Sequence, residues 1–283
     1  MDMPTQGVLI EPEALRALLG AADLVLIDVD DHERYLERHI PGARHLDFSV
    51  LIHQRPPAMG LLPDTPHLLQ VMSGLGIGQR SRVVAYDASG GGKASRLLWT
   101  LACLGLNGQL LNGGLQAWVA AGHPLVRGAE QPPTSGPIEG ALTPPPSPAS
   151  DADAHIDSDG VLARLGNPDV TVLDARSPAE YAGIDRRAAR SGHIPGAINL
   201  DWTELRDPTR CGRLLPDSAL RALLSSRGID PDQRDREIIV HCQTHHRSAL
   251  LWVALRQLGY TRVRGYAGSW SEWGNDPRLP VAL

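Results

Sequence analysis

One stretch of the chain returns about 155 residues later, and that repeat constrains the architecture more than any other feature. LVLIDVDDHERYLERHIPGARHLDF (24–48) comes back as VTVLDARSPAEYAGIDRRAARSGHIPGAINLDW (170–202). SRVVAYDASGGGKASRLLWTLACLGL (81–106) is answered by REIIVHCQTHHRSALLWVALRQLGY (236–260), and LLNGGLQAW (110–118) by RVRGYAGSWSEW (262–273). A period of this length is a whole domain, so the pattern reads as a duplication and not a solenoid. Between the copies, VRGAEQPPTSGPIEGALTPPPSPASDADAHI (126–156) is rich in proline, which lacks the N–H a ladder needs and disfavours helix. The expected division is therefore a first domain at 1–125, a linker at 126–150 and a second domain at 151–283.

Within each copy, short apolar strands (LVLID and RVVAYD; VTVLD and EIIVHC) alternate with helical stretches. Leu97, Leu98, Leu101 and Ala102 share one helix face, as do Leu250, Leu251, Ala254 and Leu255. Strands without polar alternation, separated by helices, predict an α/β fold: two tandem domains, each a parallel sheet with helices on both faces. Ligands bind such sheets at the carboxyl ends of the strands. Cys242 stands at that place in the second copy and Asp87 in the first.

The loop after Cys242, Gln243-Thr244-His245-His246-Arg247, leads into a helix near Ser248. A strand–loop–helix turn can aim successive backbone N–H groups at one point, aided by the positive end of the helix. A thiolate held there is stabilised, so the thiol pKa falls and a nucleophile exists at neutral pH. Arg247 is expected to add fixed charge and a fork suited to an oxyanion. His245 and His246 are candidates for further charge or hydrogen bonds. A metal site from His241, Cys242, His245 and His246 is disfavoured, because these ligands are nearly contiguous and no second cluster closes a tetrahedron. A cysteine-dependent phosphatase or arsenate reductase would use a similar cradle. Its signature has five residues between Cys and Arg, whereas four separate Cys242 from Arg247, and the smaller loop suits a persulfide sulfur better.

These features together resemble the two-domain rhodaneses: the duplicated unit, HIPGA at 39–43 and 193–197, the Cys242–Arg247 loop and the closing GYAGSWSEW. CQTHHRS resembles the loop of the bacterial thiosulfate:cyanide sulfurtransferases. The resemblance implies that Cys242 takes the outer sulfur of thiosulfate as a persulfide, releasing sulfite. The N–H groups from Gln243 to Ser248 would hold that sulfur until cyanide, a small thiol or a protein thiol removes it. It implies no cofactor and no metal, and an inactive first copy, since the Asp87 carboxylate cannot carry a sulfane sulfur; a monomer is expected. A sulfur carrier serving one protein partner would share the chemistry at Cys242. Mercaptopyruvate sulfurtransferases carry uncharged Cys-Gly-Ser-Gly-type loops and an Arg where Glu180 precedes Tyr181, so 3-mercaptopyruvate is the alternative donor.

Weaker candidates complete the reading. Arg176 and the Arg186, Arg187, Arg190 cluster are candidates to bring charge to the crevice from a segment that otherwise reads as a solvated surface loop, with Arg187 placed among the substrate-binding residues. Asp28 and Asp174 are expected to make structural hydrogen bonds, Trp270 to line the pocket mouth, and Trp273 to pack on the sheet like Trp118. Cys103 reads as core, and Cys211 as a loop thiol without an activator. A formal charge of −5 argues against a nucleic-acid surface, and no apolar run approaches the roughly 20 residues of a membrane span. An acidic N-terminus without a signal-peptide pattern and three scattered cysteines fit the reducing cytoplasm.

Overall fold

The structure is a computed structural model that describes residues 7–129 and 154–283. The stretch 130–153, most of the expected linker, lies outside the described residues. In the first half, β1 (Leu9–Ile10), α1 (Pro12–Leu18), β2 (Leu24–Asp28), α2 (His32–Glu37) and β3 (Arg44–His45) lead into a hairpin. The hairpin is formed by β4 (His53–Arg55) and β5 (Ala58–Leu61). Then follow α3 (Thr65–Gly74), β6 (Arg82–Tyr86), α4 (Gly92–Cys103), β7 (Gly108–Leu111) and α5 (Gly114–Ala120). The second half runs β8 (His155–Ile156), α6 (Ser158–Leu162), β9 (Val170–Asp174), α7 (Pro178–Tyr181) and β10 (Ile198–Asn199). A small ribbon of β11 (Arg206–Asp207) and β12 (Arg213–Leu214) precedes α8 (Asp217–Ser226), β13 (Glu237–His241), α9 (Arg247–Gln257), β14 (Val263–Tyr266) and α10 (Ser269–Trp273).

Two five-stranded sheets result, ordered β1-β7-β6-β2-β3 and β8-β14-β13-β9-β10, and every pairing within them is parallel. Strand for strand the two orders correspond, as a duplicated unit requires. Both sheet faces are covered, which is why the strands lack polar alternation. Val25 and Ile27 of β2 face one core while Leu26 faces another; in β13, Ile238 and Val240 face one side and Ile239 the other.

The inner core is continuous between the domains. Leu97, Leu98 and Leu101 of α4 share it with Leu250, Leu251 and Leu255 of α9, and the two helices are buried along most of their length. The two domains are therefore packed into each other and not merely tethered. The first domain is half of one hydrophobic interior.

The repeated HIPGA turn is a packing device. His39 stacks on Tyr35 at 4.0 Å and bonds its carbonyl, and His193 does the same on Tyr181 at 3.8 Å. Each tyrosine hydroxyl donates back to the alanine of its turn, Ala43 or Ala197. The turn is thereby clamped against the short helix before it, which fixes the path back into the sheet. Among the described residues no helix is long and apolar enough to cross a membrane.

Candidate active site

The catalytic candidate Cys242 follows β13 directly, and α9 starts five residues later. Its side chain is 0% exposed at the floor of the loop. Burial alone would raise the thiol pKa. The Arg247 charge, the Ser248 hydroxyl and the backbone N–H groups of Ser248 and Thr244 outweigh it, so the pKa lies below the ordinary thiol value.

The N–H groups face the sulfur because the carbonyls are tied away from it. The Cys242 carbonyl accepts from Trp270 N (2.9 Å) and the Gln243 carbonyl from Ser271 N (3.0 Å), both on α10. The Thr244 and His245 carbonyls accept from the Arg96 guanidinium, on α4 of the other domain, at 3.5 and 3.3 Å. Neighbouring segments fit tightly here. A Cβ on Gly60, in β5 of the first domain's hairpin, would stand 2.6 Å from the Thr244 carbonyl oxygen. On Gly265 it would stand 2.2 Å from the His245 ring.

The two loop histidines turn toward the first domain. His245 is fully buried at φ +59°, edge-on to Trp99 at 4.4 Å, with Nδ1 2.8 Å from the Ser248 hydroxyl oxygen. Burial keeps its ring neutral. With the proton on Nδ1, a chain of donors runs from His245 through Ser248 to the sulfur. His246 meets Phe48 and the Thr244 hydroxyl, and burial together with Arg247 pulls its pKa down to about 4. Neither ring carries charge at neutral pH, contrary to one of the roles expected for them.

Arg247 departs further from expectation. Its fork is filled by Glu180, with Nη1–Oε2 at 2.7 Å and Nη2–Oε1 at 2.9 Å. Burial opposes ionisation of Glu180, but Arg247 and the Ser177 cap hold the carboxyl down at about 2. The guanidinium still reaches the sulfur, yet its fork is not open to an oxyanion. Glu180 is the residue that sequence reasoning missed. The Ser177-Pro178-Ala179-Glu180 capping box was readable, but its reach to Arg247 was not.

The other arginines divide. Arg176 is buried, paired with Asp174 at 2.6 Å and stacked on Trp270 at 4.4 Å, so it does not reach the crevice. Arg190 and Arg186 donate to nearby backbone carbonyls. Arg187 is paired with Asp185 but remains 57% exposed, and its carbonyl accepts from the Gln243 side chain at 3.2 Å, which places its segment on the rim. Trp270 and Trp273 are both buried in the outer core, so Trp270 does not line the mouth. Asp28 and Asp174 make the expected structural bonds, to the N–H groups of Asp30 and Arg176. Burial pushes the Cys103 thiol up to about 12. Cys211 lines an interdomain cavity of about 230 Å³ with Ser89, Gln116 and Arg206. Among the described residues no cluster of three or more His, Cys, Asp or Glu side chains could hold a metal ion.

In the first domain the same cradle is occupied by the protein itself. The Asp87 carboxylate accepts from Ser89 N, Gly91 N and Ala94 N at 2.8–2.9 Å. The loop is thus built to hold an anion, and in this copy the anion is fixed.

A family model for the rhodanese-like domain matches residues 11–121 and again 157–276. The chain belongs to the rhodanese family. A thiosulfate sulfurtransferase of Azotobacter vinelandii is 44% identical over 100% of this chain and 99% of its own length. A probable 3-mercaptopyruvate sulfurtransferase of Pseudomonas aeruginosa is 34% identical, with 97% of each chain covered. Among solved structures, YnjE superposes with a TM-score of 0.84 at 24% identity, covering 98% of this chain and 68% of that one, a likeness of fold alone. The rhodanese chain described here is an enzyme, a sulfurtransferase that works through a cysteine persulfide.

Proposed function

We propose that this rhodanese moves the sulfane sulfur of thiosulfate to a thiophilic acceptor, cyanide or a thiol, with Cys242 as the carrier. The observation that carries the reading is the free Cys242 sulfur facing Arg247, the Ser248 hydroxyl and two backbone N–H groups, with its pKa lowered. The thiolate attacks the outer sulfur of thiosulfate. A Cys–S–S bond forms, the sulfur–sulfur bond of the donor breaks, and sulfite leaves with the electron pair. Cyanide then attacks the outer persulfide sulfur, thiocyanate departs and the thiolate returns, giving ping-pong kinetics. No cofactor enters this balance.

Because Cys242 has no exposed surface, the donor meets the sulfur only after a neighbouring side chain moves; beside it stand Gln243, which donates to the Arg187 carbonyl, and Arg247, which is held by Glu180. Arg187 is the exposed cation at the rim and is assigned the first contact with the anionic donor. A phosphatase needs its loop arginine open to the phosphate, and Glu180 fills that fork. Thiosulfate is preferred over mercaptopyruvate because the more similar relatives carry that activity in their names. A reducing compartment, the cytoplasm, is proposed as the place where the Cys242 thiol would stay free to act.

The test is intact-protein mass spectrometry after thiosulfate, then after cyanide, beside Cys242→Ala. One added sulfur atom on the wild type only, discharged as thiocyanate, is the expected result. Loading by mercaptopyruvate alone would reassign the donor. Loading by neither, with phosphate-ester hydrolysis lost in Cys242→Ala, would replace the reading.

A further inference from the structure

We propose that Arg96, in the domain that carries Asp87 at the place of Cys242, is a positioning residue for the catalytic loop. Its guanidinium fixes the Thr244 and His245 carbonyls outward and so keeps the loop N–H groups turned on the Cys242 sulfur. The inference rests on Cys242 being the sulfur carrier.

Arg96 is 0% exposed in the middle of α4. It has no carboxylate partner among the described residues. Five backbone carbonyls surround its fork: Thr244 and His245 across the domain boundary, and Leu51, Gly60 and Leu61 at 3.0–3.3 Å within its own domain. Three separate segments are joined at one buried charge, two of them in or around the hairpin that touches the loop.

Packing does not require this residue. By the repeat, SRLLW (95–99) aligns with SALLW (248–252), so Arg96 corresponds to Ala249, which is equally buried in the same helix pair. An alanine fills the equivalent position on α9; on α4 there is a cation whose burial pulls its own pKa down to about 10. A charge held at that disadvantage needs a compensating role.

The loop geometry supplies one. His245 sits at φ +59°, in the left-handed region that a residue with a Cβ rarely adopts. That conformation turns the His245 carbonyl toward Arg96 and lets the following N–H groups converge on the sulfur. The first two loop carbonyls are held by α10 of the same domain. Arg96 donates to the next two, and no other donor to them appears among the described residues.

Arg96→Gln and Arg96→Lys test this in the full chain, with three readouts: thermal melting, single-turnover sulfur loading from thiosulfate, and amide hydrogen exchange. Glutamine lacks the charge and the fork; lysine keeps the charge but offers a single ammonium. Both are expected to melt cooperatively, load sulfur about tenfold to a hundredfold more slowly, and exchange amides 243–248 faster while the rest of α4 and α9 stays protected. A folded variant of either kind loading within about twofold of the wild type overturns the proposal. So does exchange that rises equally along α4 and α9, which would mark a purely structural role. If the wild type itself takes no sulfur from thiosulfate, the donor assignment fails instead. Iodoacetamide modification of Cys242 then replaces loading, with the same slowing expected and an unchanged rate overturning the proposal.

Discussion

Glu180→Gln separates the charge of the Arg247 pair from its shape. Glutamine serves in the α7 capping box as well as glutamate, and one carbonyl oxygen still accepts from Arg247. What disappears is one negative charge and one hydrogen bond of a pair whose side chains are 5% and 18% exposed. The Glu180 carboxyl is held at about 2, some two units below an ordinary glutamate, which corresponds to roughly 3 kcal/mol of stability. The folded pKa is depressed, so that contribution is present above about pH 4 and is lost as pH falls toward 2. Denaturant unfolding at pH 7 should therefore register a loss of about 2–3 kcal/mol. At the sulfur the effect has the opposite sense. Glu180 lies one guanidinium width and two hydrogen bonds from Sγ, on the order of 7 Å, where a unit charge is worth about 2 kcal/mol at an effective dielectric of 20. Solvent at the mouth reduces this, leaving the Cys242 pKa about half a unit to one unit lower in the variant. The assay is the pH dependence of iodoacetamide modification. A folded Glu180→Gln protein whose Cys242 pKa is unchanged or higher would refute the idea that Glu180 masks a charge the thiolate feels.

Gly265→Ala would bring a methyl group into the His245 and Trp99 rings, both walled in; about 2–3 kcal/mol of stability and most sulfur loading should be lost, checked by melting and mass spectrometry. His246 is neutral above about pH 5, since burial holds its pKa near 4, so His246→Ala should leave the midpoints of the pH–rate profile between about 5.5 and 8 in place. A moved midpoint there would mean that His246 titrates in the working range. Asp87→Ala removes the acceptor of three loop N–H groups and should lower stability by about 2–4 kcal/mol. Added sulfate should restore melting in that variant more than in the wild type; equal effects would mean that the loop is no anion site.

The fold was legible because its signals are local and occur twice. Apolar strands without alternation meant burial on both faces, and the matched order of elements meant two copies of one sheet. HIPGA was visible as a repeat, but its cause, a histidine stacked on the tyrosine of the preceding turn, needs three dimensions. In the loop, Cys242 and Ser248 could be placed from the strand–loop–helix context. The role of Arg247 could not, because Glu180 stands 67 residues earlier in the chain, and Arg96 stands 149 residues from His245. The cluster of Arg186, Arg187 and Arg190 illustrates the same limit. Three arginines within five positions end on backbone carbonyls or an exposed aspartate, and nothing in their spacing distinguishes the outcomes.

The two loops differ in where their anion comes from, and that difference accounts for the asymmetry around them. In each, the carbonyl of the strand-end residue is held by the helix after the next strand: Leu115 N on the Asp87 carbonyl, Trp270 N on that of Cys242. The first loop then closes on its own carboxylate, which is covalently part of the chain, so its N–H groups have permanent partners. With two extra residues and glycines at 90 and 91 in the left-handed region, it reaches this geometry without strain on a side-chain-bearing residue. The second loop is shorter, places His245 in that region, and encloses a sulfur whose charge changes during turnover. Its N–H groups have only a variable acceptor to hold them, so the loop's shape has to be imposed from its carbonyl side. Arg96 does this from a domain whose own loop is immobilised by Asp87, seven residues upstream of the helical N–H that the carboxylate also binds, at Ala94. The Asp87 carboxylate ties the first loop to itself, and the loop so held gives α4 a fixed footing from which Arg96 supports the second.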